Sequence, residues 1–295
     1  MRQLTEIEAR LAQENPAAAR RVVARILKRI QDLTEAIVRV MTDPDDPAEQ
    51  FLAAMMRPRR RAHPRVAEPL RDLDAVEVKT DAGSVAAWRL GEGPAVLLAH
   101  GWEDDHSLWT RMILALAERG RAVVALDLPA HGFSDGEACL APDAARALVA
   151  TAAQLGPVDA VVAHSFGGPS SALAMTQGLA VERAVFIAAP VGMRRRWGRL
   201  AAEWGVSDEI VERARRLYEA REPAAAAFDV REAAKTMTAR ALFVHAIDDE
   251  QVPYAGAEEA AAAWPGAELL LVDGLGHRLI AQDPEIIARI ADFVA

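Results

Sequence analysis

From residue 75 onward, short apolar runs alternate with stretches in which apolar residues return at helical spacing. Ala95–Ala99, Ala122–Leu126, Ala160–Ala163, Ala184–Ala188, Ala241–His245 and Leu269–Val272 read as strands. Ala75–Lys79 and Val85–Leu90 precede them, separated by the turn Asp81-Ala82-Gly83. Between the runs, the pattern predicts helices over Leu108–Arg119, Asp143–Leu155, Phe166–Gly178, Tyr254–Ala263 and Pro284–Phe293. Strand and helix in alternation is the mark of an α/β fold, here an eight-stranded, mainly parallel sheet flanked by helices.

Two stretches break the alternation. Val191–Thr238 is too long for a crossover loop and reads as helical, with Ser207-Asp208-Glu209 marking a helix start. It carries Arg194, Arg195 and Arg196, expected on a solvated helix face. Trp197 and Trp204 either line a pocket or pack on the core. The other stretch is residues 1–70, a helical extension and linker ahead of a main domain over 71–295, whose insertion spans about 191–238. Thr5 and Glu8 form a capping box, Asn15-Pro16 restarts a helix, and Val22, Ile26, Ile30, Leu33 and Ile37 recur at helical spacing. That pattern predicts a helical pair packing on the main domain or on a second copy, hence a homodimer through these helices. The Arg-Pro-rich stretch Arg57–Arg65 reads as a linker.

Composition narrows the function classes. At 295 residues, with 52% hydrophobic and 26% charged residues, the chain has ordinary globular usage and length for one large α/β domain plus extras. A formal charge of −9 opposes nucleic-acid binding, which calls for a basic surface. The single cysteine, Cys139, lies away from every motif and suits a reducing compartment. No apolar run approaches membrane-spanning length and the first residues lack a signal-peptide core, so a soluble cytoplasmic protein is expected.

The candidate chemistry begins at Ser165. The run Ala160–Ala163 ends abruptly on it, and small residues, Ala163 and Gly167, stand two positions either side. A strand turning straight into a helix lifts such a serine above the sheet, and bulky neighbours would collide in that turn. A serine hydroxyl needs a base, and the base an orienting anion. His277 fits the base, on a loop after Leu269–Val272 with Gly274 and Gly276 around it. Asp249, after Ala241–His245, fits the anion; Asp248 is its rival, and the phrase Asp249-Glu250-Gln251-Val252-Pro253 favours the second aspartate. An oxyanion would need backbone donors. The amides of Phe166 and of Trp102, in His100-Gly101-Trp102, are expected to supply them. Glu103-Asp104-Asp105-His106 reads as solvated loop or substrate contact, with no metal or cofactor assigned.

From about Asp74 to Ala295 the chain resembles the α/β-hydrolase superfamily, with motifs in family order. These are His100-Gly101-Trp102, Asp127-Leu128-Pro129-Ala130-His131-Gly132-Phe133-Ser134, Ala163-His164-Ser165-Phe166-Gly167-Gly168, Asp249–Pro253 and Gly276-His277. Ala130 and Ala163 replace glycines usual in that pattern. The resemblance implies a serine–acid–histidine triad and hydrolytic chemistry with a lid after the sixth strand. A serine at the elbow argues against dehalogenase or epoxide-hydrolase chemistry, which uses an aspartate there. The expected function is hydrolysis of a carboxylic ester with a small or medium acyl group. Thioesterase, amidase, C–C bond hydrolase or perhydrolase chemistry could use the same triad, and a non-catalytic ligand-binding role is the rival from another class. Residues 7–33 also resemble the helical hairpin that opens RelE/ParE-type toxins; the strands carrying toxin function do not follow, so no such activity is implied.

Overall fold

The structure is a computed structural model describing residues 46–60, 65–81, 83–192 and 194–295, and of residues 194–196 the backbone only. The helical pair expected near the N-terminus, with its dimer contact, lies outside the described residues. So do the side chains of Arg194, Arg195 and Arg196. Two compact units divide the chain, Met1–Phe51 and Leu52–Ala295, and the whole sheet belongs to the second.

Eight strands form one sheet: β1 (Val76–Thr80), β2 (Gly83–Leu90), β3 (Ala95–Ala99), β4 (Ala122–Leu126), β5 (Val158–His164), β6 (Arg183–Ile187), β7 (Arg240–Ala246) and β8 (Glu268–Val272). Their spatial order is β1-β2-β4-β3-β5-β6-β7-β8. β1 and β2 pair antiparallel, as do β2 and β4; every pairing from β4 to β8 is parallel. The mainly parallel, eight-stranded expectation holds.

The central strands are apolar without interruption because both faces are covered. β4 divides its side chains by period two: Ala122, Val124 and Leu126 enter one core, Val123 and Ala125 the other. β3, β6 and β7 divide in the same way. One core packs against α3 (Ala141–Leu155), α4 (Gly167–Thr176) and α9 (Ala255–Ala263); the other packs against α2 (Thr110–Glu118) and α11 (Pro284–Val294). Each fully buried Leu, Ile or Val contributes about 1.5–3 kcal/mol relative to exposure. Between β6 and β7 stand α5 (Arg194–Trp204), α6 (Asp208–Arg221), α7 (Pro223–Ala226) and α8 (Val230–Ala234), and α1 (Pro47–Met56) precedes the sheet. The remaining helix, α10 (Gly276–Leu279), is one turn long. No helix among the described residues is long and apolar enough to cross a membrane.

Two sequence expectations need correction. The helix expected over Leu108–Arg119 is split, because the Asp105 side chain accepts the Ser107 amide and caps a 3-10 turn, His106–Trp109, before α2. Nor is Glu103–His106 a solvated loop: Asp104, Asp105 and His106 are buried. The reason lies far away in sequence. His106 donates from its amide (2.7 Å) and from Nδ1 (2.8 Å) to Asp127, which follows β4 and is itself fully buried. Ala67 N–H donates to His106 Nε2 at 3.2 Å, which leaves the ring proton on Nδ1. Burial alone would push the Asp127 carboxyl up, but the His106 side-chain bond and the Phe133 amide hold it below the usual carboxylate range.

The described part of the Arg-Pro stretch is bonded to neighbouring loops. Arg60 donates to the carbonyls of Ala130 (2.8 Å) and Gly136 (2.6 Å), Arg57 pairs with Glu137 at 2.9 Å, and Arg59 with Glu103 at 3.0 Å.

Gly132 has φ +46°, and a Cβ there would lie 2.1 Å from Asp127 Oδ2. Gly132→Ala is therefore expected to lose at least about 2 kcal/mol of stability from overpacking and left-handed strain. Ala130 already sits at φ 64°, where glycine is free of strain, so Ala130→Gly should be no less stable than wild type. Urea unfolding of the two variants checks both, and a Gly132→Ala midpoint equal to wild type would refute the first.

Candidate active site

β5 ends at His164 and α4 begins at Gly167, so Ser165 occupies the turn between them with φ 48°. A non-glycine residue in that region is strained and needs its surroundings to hold it. Ser165 N–H donates to Ile187 O at 2.9 Å, and Gly168 N–H donates to Ser165 O at 2.9 Å. The glycines are dictated by contact. A Cβ on Gly167 would lie 2.4 Å from Ala99 O, and one on Gly168 would lie 2.4 Å from Ala189 Cβ. Ala163 is buried against the core, so alanine in place of the usual glycine fits there.

Three residues, the outermost of them 112 positions apart, meet at this turn. His277 Nε2 lies 2.9 Å from Ser165 Oγ, and His277 Nδ1 lies 2.8 Å from Asp249 Oδ2. A carboxylate only accepts, so Nδ1 carries the ring proton and Nε2 accepts from the serine hydroxyl. Asp249 Oδ1 accepts the amides of Gln251 (2.8 Å) and Val252 (2.9 Å). Burial opposes the charge on Asp249, yet the His245 and His277 side chains and the Val252 amide hold its carboxyl well below the usual range. Asp248 has a different place. Its Oδ1 accepts Gly274 N–H at 3.0 Å and Gly276 N–H at 3.2 Å, which fixes the loop leading into α10, and His277 is the second residue of that short helix, not a loop residue as expected.

Several supporting residues escaped sequence reading. His164 Nε2 donates to the His277 carbonyl at 2.9 Å, joining the Ser165 turn to the loop and short helix that carry His277. Arg278 ion-pairs with the buried Asp104, tying that loop to the one after β3. His100 donates from Nδ1 to Gly101 O (2.7 Å) and accepts Leu128 N–H at Nε2 (2.9 Å). Adjacency of His164 to Ser165 was the one signal in the chain; the other partners are remote in sequence.

The loop His100-Gly101-Trp102 lies directly against the turn, since a Cβ on Gly101 would be 3.1 Å from Ser165 Cβ. Trp102 and Phe166 meet edge to face, ring centroids 5.3 Å apart. Ser165 and His277 open into a cavity of about 980 Å³. Trp102, Phe166, Leu200, Trp204 and Val252 give it apolar wall, while Arg59, Glu103, Glu203 and Arg278 give it charge. Trp197 is instead buried beside Tyr218 (centroids 5.8 Å apart), so the two tryptophans divide between packing and pocket. Glu103 and Asp104 both line the cavity.

Residues 96–290 match the model described as the alpha/beta hydrolase family. A pimeloyl-[acyl-carrier protein] methyl ester esterase of Xanthomonas campestris pv. campestris is 29% identical over 248 residues, 70% of this chain and 97% of that protein. Among solved structures, an esterase of Pyrococcus furiosus superposes with a TM-score of 0.64 at 17% identity, covering 81% of this chain and 96% of its own. The Rhodococcus esterase RhEst1 gives 0.58 at 22% identity, covering 75% and 97%. At those identities the two structures show a shared fold.

Burial drives His131 down to about 3 and His164 down to about 4. Each folded value lies below the unfolded one, so the unfolded chain binds more protons in mild acid. The stability contributed by neutral rings is full above about pH 6.5 and lost as pH falls towards those values. Each ring should account for about 2 kcal/mol lost between pH 7 and pH 5. Urea unfolding at the two pH values is the measurement, and coincident midpoints would contradict it.

Proposed function

The chain belongs to the alpha/beta hydrolase family, and from that premise we propose that it hydrolyses carboxylic esters through an acyl-enzyme on Ser165. The observation carrying this reading is the continuous relay from Ser165 Oγ through His277 to Asp249, at 2.9 and 2.8 Å. The ester bond named for the Xanthomonas relative supports the same bond class.

In this reading Ser165 Oγ attacks the ester carbonyl as its proton passes to His277 Nε2. Asp249, kept anionic, stabilises the imidazolium and does not take the proton. The carbonyl electrons move onto oxygen, where the Trp102 and Phe166 amides donate; one such donor is typically worth about 3 kcal/mol in the transition state. Collapse expels the alkoxide, which takes the proton from His277 and leaves as an alcohol. A water then loses a proton to His277 and attacks the acyl-serine. Its collapse returns the proton to Ser165 Oγ and releases the carboxylic acid.

The helices between β6 and β7 act as the lid, with Leu200, Glu203 and Trp204 forming the outer wall of the cavity. A volume of about 980 Å³ is at the upper end of small-molecule sites. It suits a substrate with a medium acyl chain or a sizeable polar leaving group better than a minimal ester.

A fluorophosphonate probe is expected to label the wild type and not Ser165→Ala, with short-chain esters hydrolysed only by the former. Absence of labelling in folded wild type would overturn the nucleophile assignment. Asp249→Asn should reduce kcat about a thousandfold or more by giving His277 the wrong tautomer. Asp248→Asn, which keeps an oxygen for the Gly274 and Gly276 amides, should stay within about tenfold of wild type. The opposite ranking would transfer the acid role to Asp248.

A further inference from the structure

We propose that His245 is a positioning residue for this reaction, holding the Asp249 carboxylate from the side opposite His277. The inference rests on the reading of Asp249 as the triad acid.

His245 is the penultimate residue of β7 and is fully buried. Its Nε2 lies 2.8 Å from Val252 O and 3.3 Å from Asp249 Oδ2. Both oxygens are acceptors only, so the proton is on Nε2. The bond to the carbonyl is the shorter, and the carboxylate takes the longer, shared contact. His245 Nδ1 is buried without a hydrogen-bond partner, so the ring's polar contacts all run through Nε2.

That single N–H completes a closed arrangement. Val252 donates its amide to Asp249 Oδ1 and receives His245 at its carbonyl, so the Asp249–Pro253 loop is fastened to β7 through both polar groups of one residue. Oδ1 already takes two amides, and Oδ2 takes His277 from one side with His245 on the other. Without His245, only His277 would steady Oδ2, and the orientation of the carboxylate would rest on the two amides at Oδ1 alone.

The electrical effect has a definite sign. A donor on Oδ2 draws negative charge away from the face that His277 sees. Removing it should strengthen the imidazolium and move the acid limb of the pH–rate profile to higher pH. The other groups around His277 remain in place: Asp249 on Nδ1, Ser165 on Nε2, and His164, the last residue of β5, with its ring centroid 5.1 Å from that of His277. Asp248 holds the loop amides, and Arg278 stays paired with Asp104 from the loop after β3.

The experiment compares kcat, KM and the pH–rate profile on one ester for wild type, His245→Leu, His245→Asn, His245→Gln and Asp249→Asn. Glutamine can set an N–H near the Nε2 position; asparagine is too short and leucine has no donor. Leucine and asparagine should lower kcat about tenfold, the rate equivalent of one hydrogen bond to a charged group, with KM nearly unchanged and the acid limb raised. Glutamine should restore most of kcat and the wild-type limb. The proposal is overturned if the donor-free variants keep wild-type kcat and limb, or if glutamine falls with them while the limb stays fixed, the mark of packing alone. Should leucine fail to fold, the asparagine–glutamine contrast decides. An active Asp249→Asn enzyme would bring down the underlying triad reading, whereas an inactive one beside unaffected His245 variants would bring down this inference alone.

Discussion

The close approach of the end of β3 to the turn after β5 governs this molecule. The two strands are parallel neighbours, and their C-terminal ends leave the same edge of the sheet. There the Ala99 carbonyl leaves no room for a side-chain atom on Gly167, and Ser165 and His164 leave almost none on Gly101. Once those two backbones touch, the serine must adopt φ 48°. The loop carrying Trp102 must then pass beside it, and the space above the sheet becomes a cavity. A larger residue at either glycine would separate the loops and dissolve the geometry, whatever became of the reactive groups.

β3 and β4 were legible to the residue and the other strands to within two, because a strand buried on both faces writes itself as an unbroken apolar run. Ser165 was legible for a related reason: small residues around a serine at a strand end have few uses. What could not be read was anything decided by a partner far along the chain. Glu103–His106 looks polar and therefore solvated, yet Asp127 takes His106 inside and Arg278 covers Asp104. The adjacent aspartates, similar on paper, separate only when the histidine loop arrives: Asp249 meets the ring and Asp248 meets the backbone behind it. His245 reads as the close of a strand until Val252 returns to it.

Four imidazoles share one device. His100, His131, His164 and His245 each lie against a backbone carbonyl, those of Gly101, Pro129, His277 and Val252. All four rings are buried. In such surroundings an ammonium or guanidinium would bring a charge that is costly to bury, and a hydroxyl would reach less far. A neutral imidazole spans the gap with a flat, stiff body and a single directed proton. Of the four, His100, His131 and His164 titrate readily in water and are held back from protonation here by burial.

The relay and the far wall of the cavity belong to different parts of the chain. Ser165, Asp249 and His277 hang from the ends of β5, β7 and β8, within the span that matches the family. Arg57 and Arg59 come from the segment before that span, and Leu200, Glu203 and Trp204 from α5, none of them rooted in the sheet. Mutation can therefore work on the two at different rates. Drift in the outer segments would redraw what fits the cavity while the chemistry beneath is inherited unchanged, so descendants of such a chain could part in diet long before they part in reaction.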